Sequence, residues 1–353
     1  MARITHKPGD DLETGQTPRT LVVVGPTSSG KTSLSLRLAQ EHQGEIINAD
    51  ARQIYRETNI GTGKPPGRRG KFEGHNAFLV RVPHQFVAEK LCDPSLATCV
   101  LPPEIPHYLM DFLPPEEIMT VAEWRERALK AVKGIARRKH LPIVVGGTGL
   151  YLSALVDNFS IPQVPPNPSL RKSFEQQPLS KLAELLSKMD PTAASVVDMK
   201  NPRRVIRALE ICTFTGKSIA SLRTKRPPVI DAFMIGLQWP REVLNKRIDA
   251  AIDRMMEEGW PEEVRQLHQR GLSWNAPAMT SIGYREMGMY LRGELILEEA
   301  VKRAKIATHQ YAKRQETWFK RDKRIHWVKN EEEGMDLVKA WLSDRDLNRR
   351  GDS

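Results

Sequence analysis

The residues with the clearest chemistry form a glycine-rich loop near the N-terminus. Residues 25–32 fit the pattern G-x-x-x-x-G-K-[ST]. In this pattern backbone N–H groups turn inward around an anion, the lysine adds a positive charge, and the last hydroxyl binds Mg²⁺. The alternative is a chance glycine turn, but a strand-like apolar run precedes the loop and a helical pattern follows it. The sequence therefore predicts a phosphate or diphosphate site made by Gly25, Pro26, Thr27, Ser28, Ser29, Gly30, Lys31 and Thr32.

A carboxylate follows the next apolar run, residues 45–49, at Asp50. The carboxyl ends of parallel strands meet at one edge of a sheet, so we expect Asp50 to lie beside the glycine-rich loop. It could bind Mg²⁺ through water or act as a general base, and a helix N-cap is the alternative. Arg52 and Gln53 come directly after it, and such side chains can read the edge of a base.

A second glycine-rich turn, Gly146-Gly-Thr-Gly149, follows the apolar run 141–145. If that run is another parallel strand, the turn lies at the same edge and Thr148 reaches the same crevice. The alternative is that these glycines only allow a strand and a helix to pack closely.

Two further segments favour a nucleic acid. Residues 201–210 place Arg203, Arg204 and Arg207 at the start of a helix, where they could contact phosphates or lie free in solvent. From 301 to 330 there are ten Lys or Arg residues and two acidic ones. Their helix carries cations beside aromatic residues, which suits an RNA backbone with unstacked bases; a solvated basic helix is the alternative. These cations and aromatics are Lys302, Lys305, His309, Tyr311, Lys313, Arg314, Trp318 and Arg321.

The elements that must position these groups predict an α/β fold. The pattern predicts a parallel-sheet core of the P-loop class with an inserted helical lobe and a helical C-terminal part. We expect a polar tail at 1–19, the first part of the core at 20–158, the lobe at 159–200, a core continuation with basic helices at 201–330, and a C-terminal helix or tail at 331–353. Residues 65–106 contain seven prolines and predict an irregular excursion.

Composition narrows the class of protein. The net charge is +11 and the pI is near 9.6, which favours an anionic macromolecular partner. Three cysteines form no even disulfide framework and indicate a reducing compartment. No apolar run approaches the roughly 20 residues of a membrane helix, and the polar first 19 residues do not resemble a signal peptide. We therefore expect a cytoplasmic protein that does not bind a membrane and acts as a monomer.

A zinc site is a weaker possibility at the excursion. Its residues His75, His84, Cys92, Cys99 and His107 have spacings that match no common ligand pattern, so scattered loop residues are favoured. A phosphate loop with an acid after the second strand also describes a small-molecule kinase. Spacing alone leaves kinase and transferase open.

Seven motifs in a fixed order resemble the tRNA dimethylallyltransferases, also called tRNA isopentenyltransferases. The resemblance covers about residues 20–328. The motifs are GPTSSGKT at 25–32, DARQIYR at 50–56, IGTGKP at 60–65, VGGTGLY at 145–151, NPRRVIRALE at 201–210, SIGYRE at 281–286 and YAKRQETWF at 311–319.

The resemblance implies the reaction and the site. N6 of the adenosine 3′ of the anticodon attacks C1 of dimethylallyl diphosphate, and diphosphate leaves. Lys31 and the loop would hold the diphosphate with Mg²⁺ on Thr32, Asp50 would be the base, and Thr148 would lie beside the reacting centre. The anticodon stem-loop of tRNA would be bound by Asp50, Ala51, Arg52, Gln53, Thr148, Arg203, Arg204, Val205, Ile206 and Arg207.

The chain departs from the family's usual pattern at several points. Ala51 stands where a serine is common, and Ala251 stands where a second arginine, four residues after Arg247, is thought to bind diphosphate. The connection from Lys64 to His107 is long, and there is no C-terminal zinc finger, so the resemblance is to a bacterial form. Three other hypotheses stay open: prenylation of free adenine nucleotides, phosphotransfer, and tRNA binding without catalysis.

Overall fold

The structure is a computed structural model that describes residues 17–83, 104–159, 164, 167–222 and 226–350, with side chains described up to 344. The strands are β1 (Arg19–Val24), β2 (Gly44–Asn48), β3 (Gly67–Phe72), β4 (His75–Arg81), β5 (Glu104–Tyr108), β6 (Leu141–Gly146), β7 (Asp231–Leu237) and β8 (Ile325–Val328). The helices are α1 (Lys31–Glu41), α2 (Val121–Arg137), α3 (Gly149–Val156), α4 (Pro168–Glu175), α5 (Leu179–Met189), α6 (Pro202–Thr215), α7 (Ile219–Leu222), α8 (Arg241–Glu257), α9 (Trp260–Gln269), α10 (Tyr284–Leu291), α11 (Leu297–Phe319) and α12 (Glu331–Arg350).

The strands form one sheet in the order β3-β4-β5-β2-β6-β1-β7-β8. In this order, the neighbouring strands β5, β2, β6, β1, β7 and β8 all pair in parallel. Strand β4 is antiparallel to both of its neighbours, β3 and β5. Parallel strands are covered on both faces and are therefore continuously apolar, as β1 is: Leu21 to Val24 are fully buried. This confirms the predicted α/β fold with a parallel core.

The chain divides into two compact units. One consists of residues 1–152 with 230–353, and the other of residues 153–229. The second unit is helical, and its core forms where α6 packs against α5, through residues such as Leu186 and Leu209. It takes in residues beyond the expected lobe at 159–200 because α6 supplies much of that core.

Local signals explain several helix starts. Thr120 caps α2 through a capping box with Glu123, and Trp124 in its first turn is fully buried. Asn201 caps α6, and Pro202 occupies its first turn. Both helices match the sequence expectation.

One prediction was wrong. Residues 65–106 were expected to be irregular, but residues 67–81 form the β3–β4 hairpin, and β5 begins at Glu104. The hairpin forms because Phe78 and Val80 on β4 enter the apolar core of the sheet, which outweighs the glycines and charges of β3. The rest of the excursion, residues 84–103, and the expected tail up to residue 16 lie outside the described residues. So do three of the five residues weighed as zinc ligands, His84, Cys92 and Cys99.

None of the helices among the described residues is both long enough and apolar enough to cross a membrane.

Candidate active site

The glycine-rich loop between β1 and α1 has the backbone of an anion cradle. Ser28 and Gly30 adopt positive φ values of 61° and 98°, and α1 begins directly after Gly30. Gly25 has no room for a side chain, since a Cβ there would lie 2.9 Å from the Ser29 hydroxyl and 3.1 Å from the Leu237 carbonyl oxygen. The N-terminus of α1 adds its positive dipole end to the loop.

Lys31 lies over this loop. Its Nζ donates a hydrogen bond of 2.6 Å to the Pro26 carbonyl oxygen. Burial lowers the pKa of Lys31 to about 8, although the nearby charge of Asp50 opposes the shift. The cradle's cation and the predicted base are therefore close enough to interact, which agrees with the edge placement expected from the sequence.

Two residues near the start of α8 hold the loop from the other side. Trp239 Nε1 donates to the Ser29 carbonyl oxygen at 2.8 Å, and Arg247 Nε donates to the Ser28 carbonyl oxygen at 2.9 Å. The Arg247 guanidinium also lies 4.6 Å from the centre of the Trp239 ring. Ala251, one turn further along α8, adds no charge here.

Asp50 follows β2 and is held by a buried asparagine that the sequence analysis missed. Asn48 accepts a hydrogen bond from the Asp50 N–H at 3.1 Å and donates to the carbonyl oxygens of Asp50 and Leu109. Asp50 Oδ1 accepts the Arg52 N–H at 2.8 Å. No hydrogen bond or ion pair from the described residues occupies Oδ2, so one carboxylate oxygen is left for a ligand.

Thr148 joins the turn after β6 to the turn after β2. Its N–H donates to the Ala49 carbonyl oxygen at 3.1 Å, and its hydroxyl accepts the Ala51 N–H at 2.9 Å. The Tyr311 phenol of α11 lies close to the same hydroxyl. Burial and then the charge of Asp50 raise the pKa of Tyr311, which keeps its phenol protonated. Asp50, Thr148 and Tyr311 thus form one polar cluster.

Gln315 connects this cluster to the phosphate loop, and sequence reasoning did not single it out. The side chain is 5% exposed. Its Oε1 accepts the Thr27 N–H at 2.9 Å, and its Nε2 donates to the Gly147 carbonyl oxygen at 2.9 Å. A Cβ on Gly147 would lie 2.1 Å from Nε2, so the turn approaches this closely only because it has glycine there. One signal was available, namely a glutamine one turn after the buried Ala312 and one turn before the buried Phe319.

The segment after Asp50 is fixed by a buried ion pair. Lys64 Nζ lies 2.5 Å from Asp111 Oδ1, and both side chains are at most 8% exposed. The Gln53 amide donates to the carbonyl oxygens of Thr62 and Gly63, both at 3.1 Å. From α9, the Glu263 carboxylate accepts the backbone N–H groups of residues 59–61. Arg52, in contrast, is exposed.

Residues 203–207 belong to the helical unit and differ in their exposure and in their side-chain partners. Arg203 and Arg204 are exposed, whereas Val205 and Ile206 are at most 7% exposed and pack in the core of α6. Arg207 is committed to Glu210 and to the Val164 carbonyl oxygen. Burial alone would raise the pKa of Glu210, but bonds from Arg171 and Arg207 lower it to about 2. Arg203 and Arg204 are therefore the exposed arginines of this segment, and Arg204 also lies 3.5 Å from Asp198.

The basic side of α11 is partly engaged within the fold. Lys305 lies 2.6 Å from Asp253, and His309 lies 2.9 Å from Asp249, both on α8. Lys302 and Lys313 are exposed. The sequence pattern placed all four on a nucleic-acid surface, but packing of α11 against α8 uses two of them.

Oxygen ligands for a magnesium ion are present at this edge. The Thr32 hydroxyl is exposed at the first turn of α1, and Asp50 keeps one free carboxylate oxygen. Hard oxygen ligands of this kind suit Mg²⁺, so the residues fit the expected ion.

A second group of possible metal ligands, Glu45, Glu73 and His140, is already engaged with Arg138. Glu45 lies near the start of β2 and accepts hydrogen bonds from Tyr108 at 2.6 Å, Arg138 at 2.7 Å and His140 at 2.7 Å. Burial would raise the pKa of Glu45, but these bonds bring it below its usual value. Because Arg138 already supplies a positive charge, this group is an ion-pair network.

The comparisons with known proteins fit this geometry. A model of the IPP transferase family matches residues 102–322, and one of the isopentenyl transferase family matches residues 18–78. The tRNA dimethylallyltransferase of Roseiflexus sp. (strain RS-1) is 38% identical over 306 residues, which is 85% of this chain and 90% of that protein. The chain belongs to the tRNA dimethylallyltransferase family. The resemblance read from the seven motifs is thereby confirmed.

Other members agree. The tRNA dimethylallyltransferase of Pelotomaculum thermopropionicum is 40% identical over 318 residues, covering 88% of this chain and 90% of that protein. A solved tRNA isopentenylpyrophosphate transferase from Bacillus halodurans has a TM-score of 0.64 and 31% identity, and the match covers 94% of this chain and 99% of that one. A eukaryotic dimethylallyltransferase acting on tRNA shares the fold, with a TM-score of 0.71 at 24% identity over 93% of this chain and 80% of that one.

Proposed function

We propose that this protein transfers the dimethylallyl group of dimethylallyl diphosphate to N6 of the adenosine 3′ of the anticodon in tRNA. One observation supports this most directly: the predicted diphosphate cradle, residues 25–32, and the Asp50 carboxylate lie at the same edge of the sheet. An acceptor amine and a leaving diphosphate must meet at such a place. We expect the reaction to take place in the cytoplasm, with the protein acting as a single chain.

The leaving group explains a phosphate loop in an enzyme that transfers a prenyl group. As the bond between C1 and oxygen breaks, negative charge develops on the diphosphate, and Lys31 and the loop N–H groups stabilise it. Bound Mg²⁺, with the Thr32 hydroxyl as a ligand, would neutralise part of the same charge. The Thr27 N–H is already bonded to Gln315 and the Ser29 N–H to the Pro26 carbonyl oxygen, so the other N–H groups of the loop are the available donors.

The acceptor side uses Asp50. As the bond from N6 to C1 forms, the amine loses a proton, and Asp50 Oδ2 is the free oxygen that takes it. We propose that the Thr148 hydroxyl, which accepts the Ala51 N–H, lies beside this carboxylate and orients the base. Gln315 sets the distance between the acceptor and donor halves, which is the main structural requirement for in-line transfer.

The proposed RNA contacts rest on the exposure of Arg52, Arg203 and Arg204 and on the place of Gln53 three residues after Asp50. We propose that Arg52 and Gln53 contact the target loop and that Arg203 and Arg204 contact phosphates, together with exposed lysines of α11. The adenosine must leave its stack to reach Asp50, which costs least in a single-stranded loop. Val205 and Ile206 act only by supporting the arginines.

A transfer assay tests the proposal. Purified protein is mixed with Mg²⁺, radiolabelled dimethylallyl diphosphate and one of three acceptors: unmodified tRNA, the same tRNA with guanosine at the target position, or AMP. Label only in the first tRNA is expected. Label in AMP would instead show prenylation of free nucleotides. If tRNA binds but no acceptor is labelled, the chain is a binder without catalysis and the proposal is wrong.

A further inference from the structure

The β3–β4 hairpin is an addition to the sheet that the reaction described above does not use. It extends the sheet beyond β5, and β3 is the outermost strand of this side. The two family models leave residues 79–101 unmatched, so they include β3 but only the first part of β4, and none of the seven motifs includes either strand. The hairpin is nevertheless firmly anchored, because Phe78, Leu79 and Val80 are at most 7% exposed.

The outer strand is strongly basic and exposed. It reads Gly-Arg-Arg-Gly-Lys-Phe over residues 67–72. Side chains two residues apart on a strand point to the same face, so Arg69 and Lys71 lie together, roughly 7 Å apart along the strand. Arg68 points to the other face, where it pairs with Glu104 at 2.7 Å. The face with Arg69 and Lys71 is therefore the one with uncompensated charge.

Arg69 is only loosely neutralised. Its side chain is 57% exposed, and its Nε lies 3.6 Å from Asp111 Oδ2. The other oxygen of that carboxylate is already paired with the buried Lys64 at 2.5 Å. Lys71 is exposed and has no ion-pair partner among the described residues. Asp111 thus faces two cations, Lys64 and Arg69, and Lys71 adds a further positive charge on the face of β3 that carries Arg69.

This face is tied to the segment expected to meet the RNA. The Asp111 N–H donates to the Gln53 carbonyl oxygen at 2.9 Å. Arg69 is thereby linked through a single residue to the turn that carries Asp50, Arg52 and Gln53. The basic face of β3 therefore contacts the segment that carries the candidate base.

We propose that Arg69 and Lys71 form an additional phosphate-contacting surface for the tRNA, at positions that none of the seven motifs includes. The proposal rests on the proposed function, since it takes tRNA as the partner. Long side chains with exposed cations on a fixed strand suit backbone phosphates and give no sequence selectivity. Charged residues on an edge strand can also serve only to prevent strands of two molecules from pairing, and this is the competing explanation.

The double variant Arg69→Gln with Lys71→Gln tests the proposal. Binding of unmodified tRNA is measured from 0.1 to 1 M salt, alongside a control with two lysines at the opposite side of the sheet, Lys329→Gln with Lys339→Gln. Each lost phosphate contact lowers the slope of log K against log salt by roughly 0.7 to 0.9, so a change of about 1.5 is expected. Affinity should fall about tenfold near 0.15 M salt and converge with the wild type near 1 M. The kcat at saturating tRNA should not change.

The outcomes separate this inference from the proposed function. If the wild type prenylates tRNA but the double variant behaves like its control, the inference is wrong and the proposed function stands. A double variant that self-associates while keeping its salt dependence would show that the charges only protect the strand edge, which also overturns the inference. A wild type that neither binds nor prenylates tRNA overturns both.

Discussion

The two ends of strand β2 carry carboxylates with opposite surroundings. Near its start, Glu45 is 1% exposed and receives hydrogen bonds from Tyr108, Arg138 and His140. Beyond its other end, Asp50 accepts one backbone N–H and keeps an oxygen without a partner among the described residues. A carboxylate whose acceptors are all used stabilises the fold, and one held in place by its backbone with a free oxygen can react.

The contacts around Asp50 and around Glu45 also differ in kind. The turns beside Asp50 are built from close approaches, such as the contact of Gly147 with Gln315, and from left-handed residues in the phosphate loop. At the Glu45 end the contacts are side-chain ion pairs. Stability is therefore concentrated at one end of the strand and reactivity at the other, and the following variants test this division.

The largest effect is expected for Asp50→Ala. Removing the base should lower kcat about 10³-fold while tRNA binding and the Tm stay close to wild type, since the free carboxylate oxygen contributes little to folding. Single-turnover transfer, tRNA binding and thermal unfolding measure the three quantities. Asp50→Asn is the matched control for shape and should be equally inactive. A fully active Asp50→Asn enzyme would mean that the proton goes elsewhere.

Gln315→Glu is the next variant, because it keeps the acceptor for the Thr27 N–H but loses the donor to the Gly147 carbonyl. We expect kcat to fall roughly 10- to 100-fold as the two turns separate. The Kd of each substrate should change much less. Gln315→Ala, which loses both bonds, should be worse than Gln315→Glu. If KM instead rises by this factor while kcat stays unchanged, Gln315 contributes only to substrate binding.

Glu45→Gln should lower stability and leave kcat unchanged, the reverse of the two variants above. The change removes a buried charge opposite Arg138, so the free energy of unfolding should fall by about 2 to 3 kcal/mol. The kcat per folded molecule should stay unchanged at a temperature where the variant is folded. Denaturant unfolding and a transfer assay on the same sample check both parts. A large loss of kcat in the folded variant would contradict the division between the two ends.

The smallest effect is the pH dependence of diphosphate binding. Since the pKa of Lys31 is lowered to about 8 in the free protein, the ammonium loses its proton as the pH rises through 8. The Kd for dimethylallyl diphosphate should therefore increase about tenfold between pH 7 and 9. Lys31→Arg stays charged and should show a flat profile, whatever its absolute Kd.

The contribution of Lys31 to protein stability changes with pH in the opposite direction to its contribution to diphosphate binding. Its folded pKa lies below the unfolded value of 10.5, so burial of the charge costs stability at pH values below about 8. That cost is relieved as the pH rises from 8 to 10.5. If binding became tighter as the pH rises, in parallel with the stability, the pH dependence would come from folding rather than from Lys31 at the ligand.

Much of the fold and of the reactive edge could be predicted from local pattern. The phosphate loop, Asp50 and Thr148 follow three apolar strands, and parallel strands bring such residues to one edge whatever the rest of the chain does. Their roles as base and as diphosphate ligands stay predictions until the variants are measured.

Pairing between distant segments could not be predicted. The β3 strand is poor in β-branched residues and exists because β4 beside it is apolar. Gln315 contacts two turns from the middle of a helix, so its importance depends on tertiary placement that no helical pattern reveals. Lys305 and His309 looked solvent-facing because their partners, Asp253 and Asp249, lie on a helix about fifty residues earlier.

The bond between Thr27 and Gln315 joins residues 288 positions apart. During synthesis the phosphate loop is made early, whereas its link to the Thr148 turn can form only after α11 has left the ribosome. Contacts of such long range slow folding and leave intermediates with incomplete packing. The residues of the anion cradle are therefore made long before the catalytic centre can assemble, and only a chain that already includes α11 can act on its substrate.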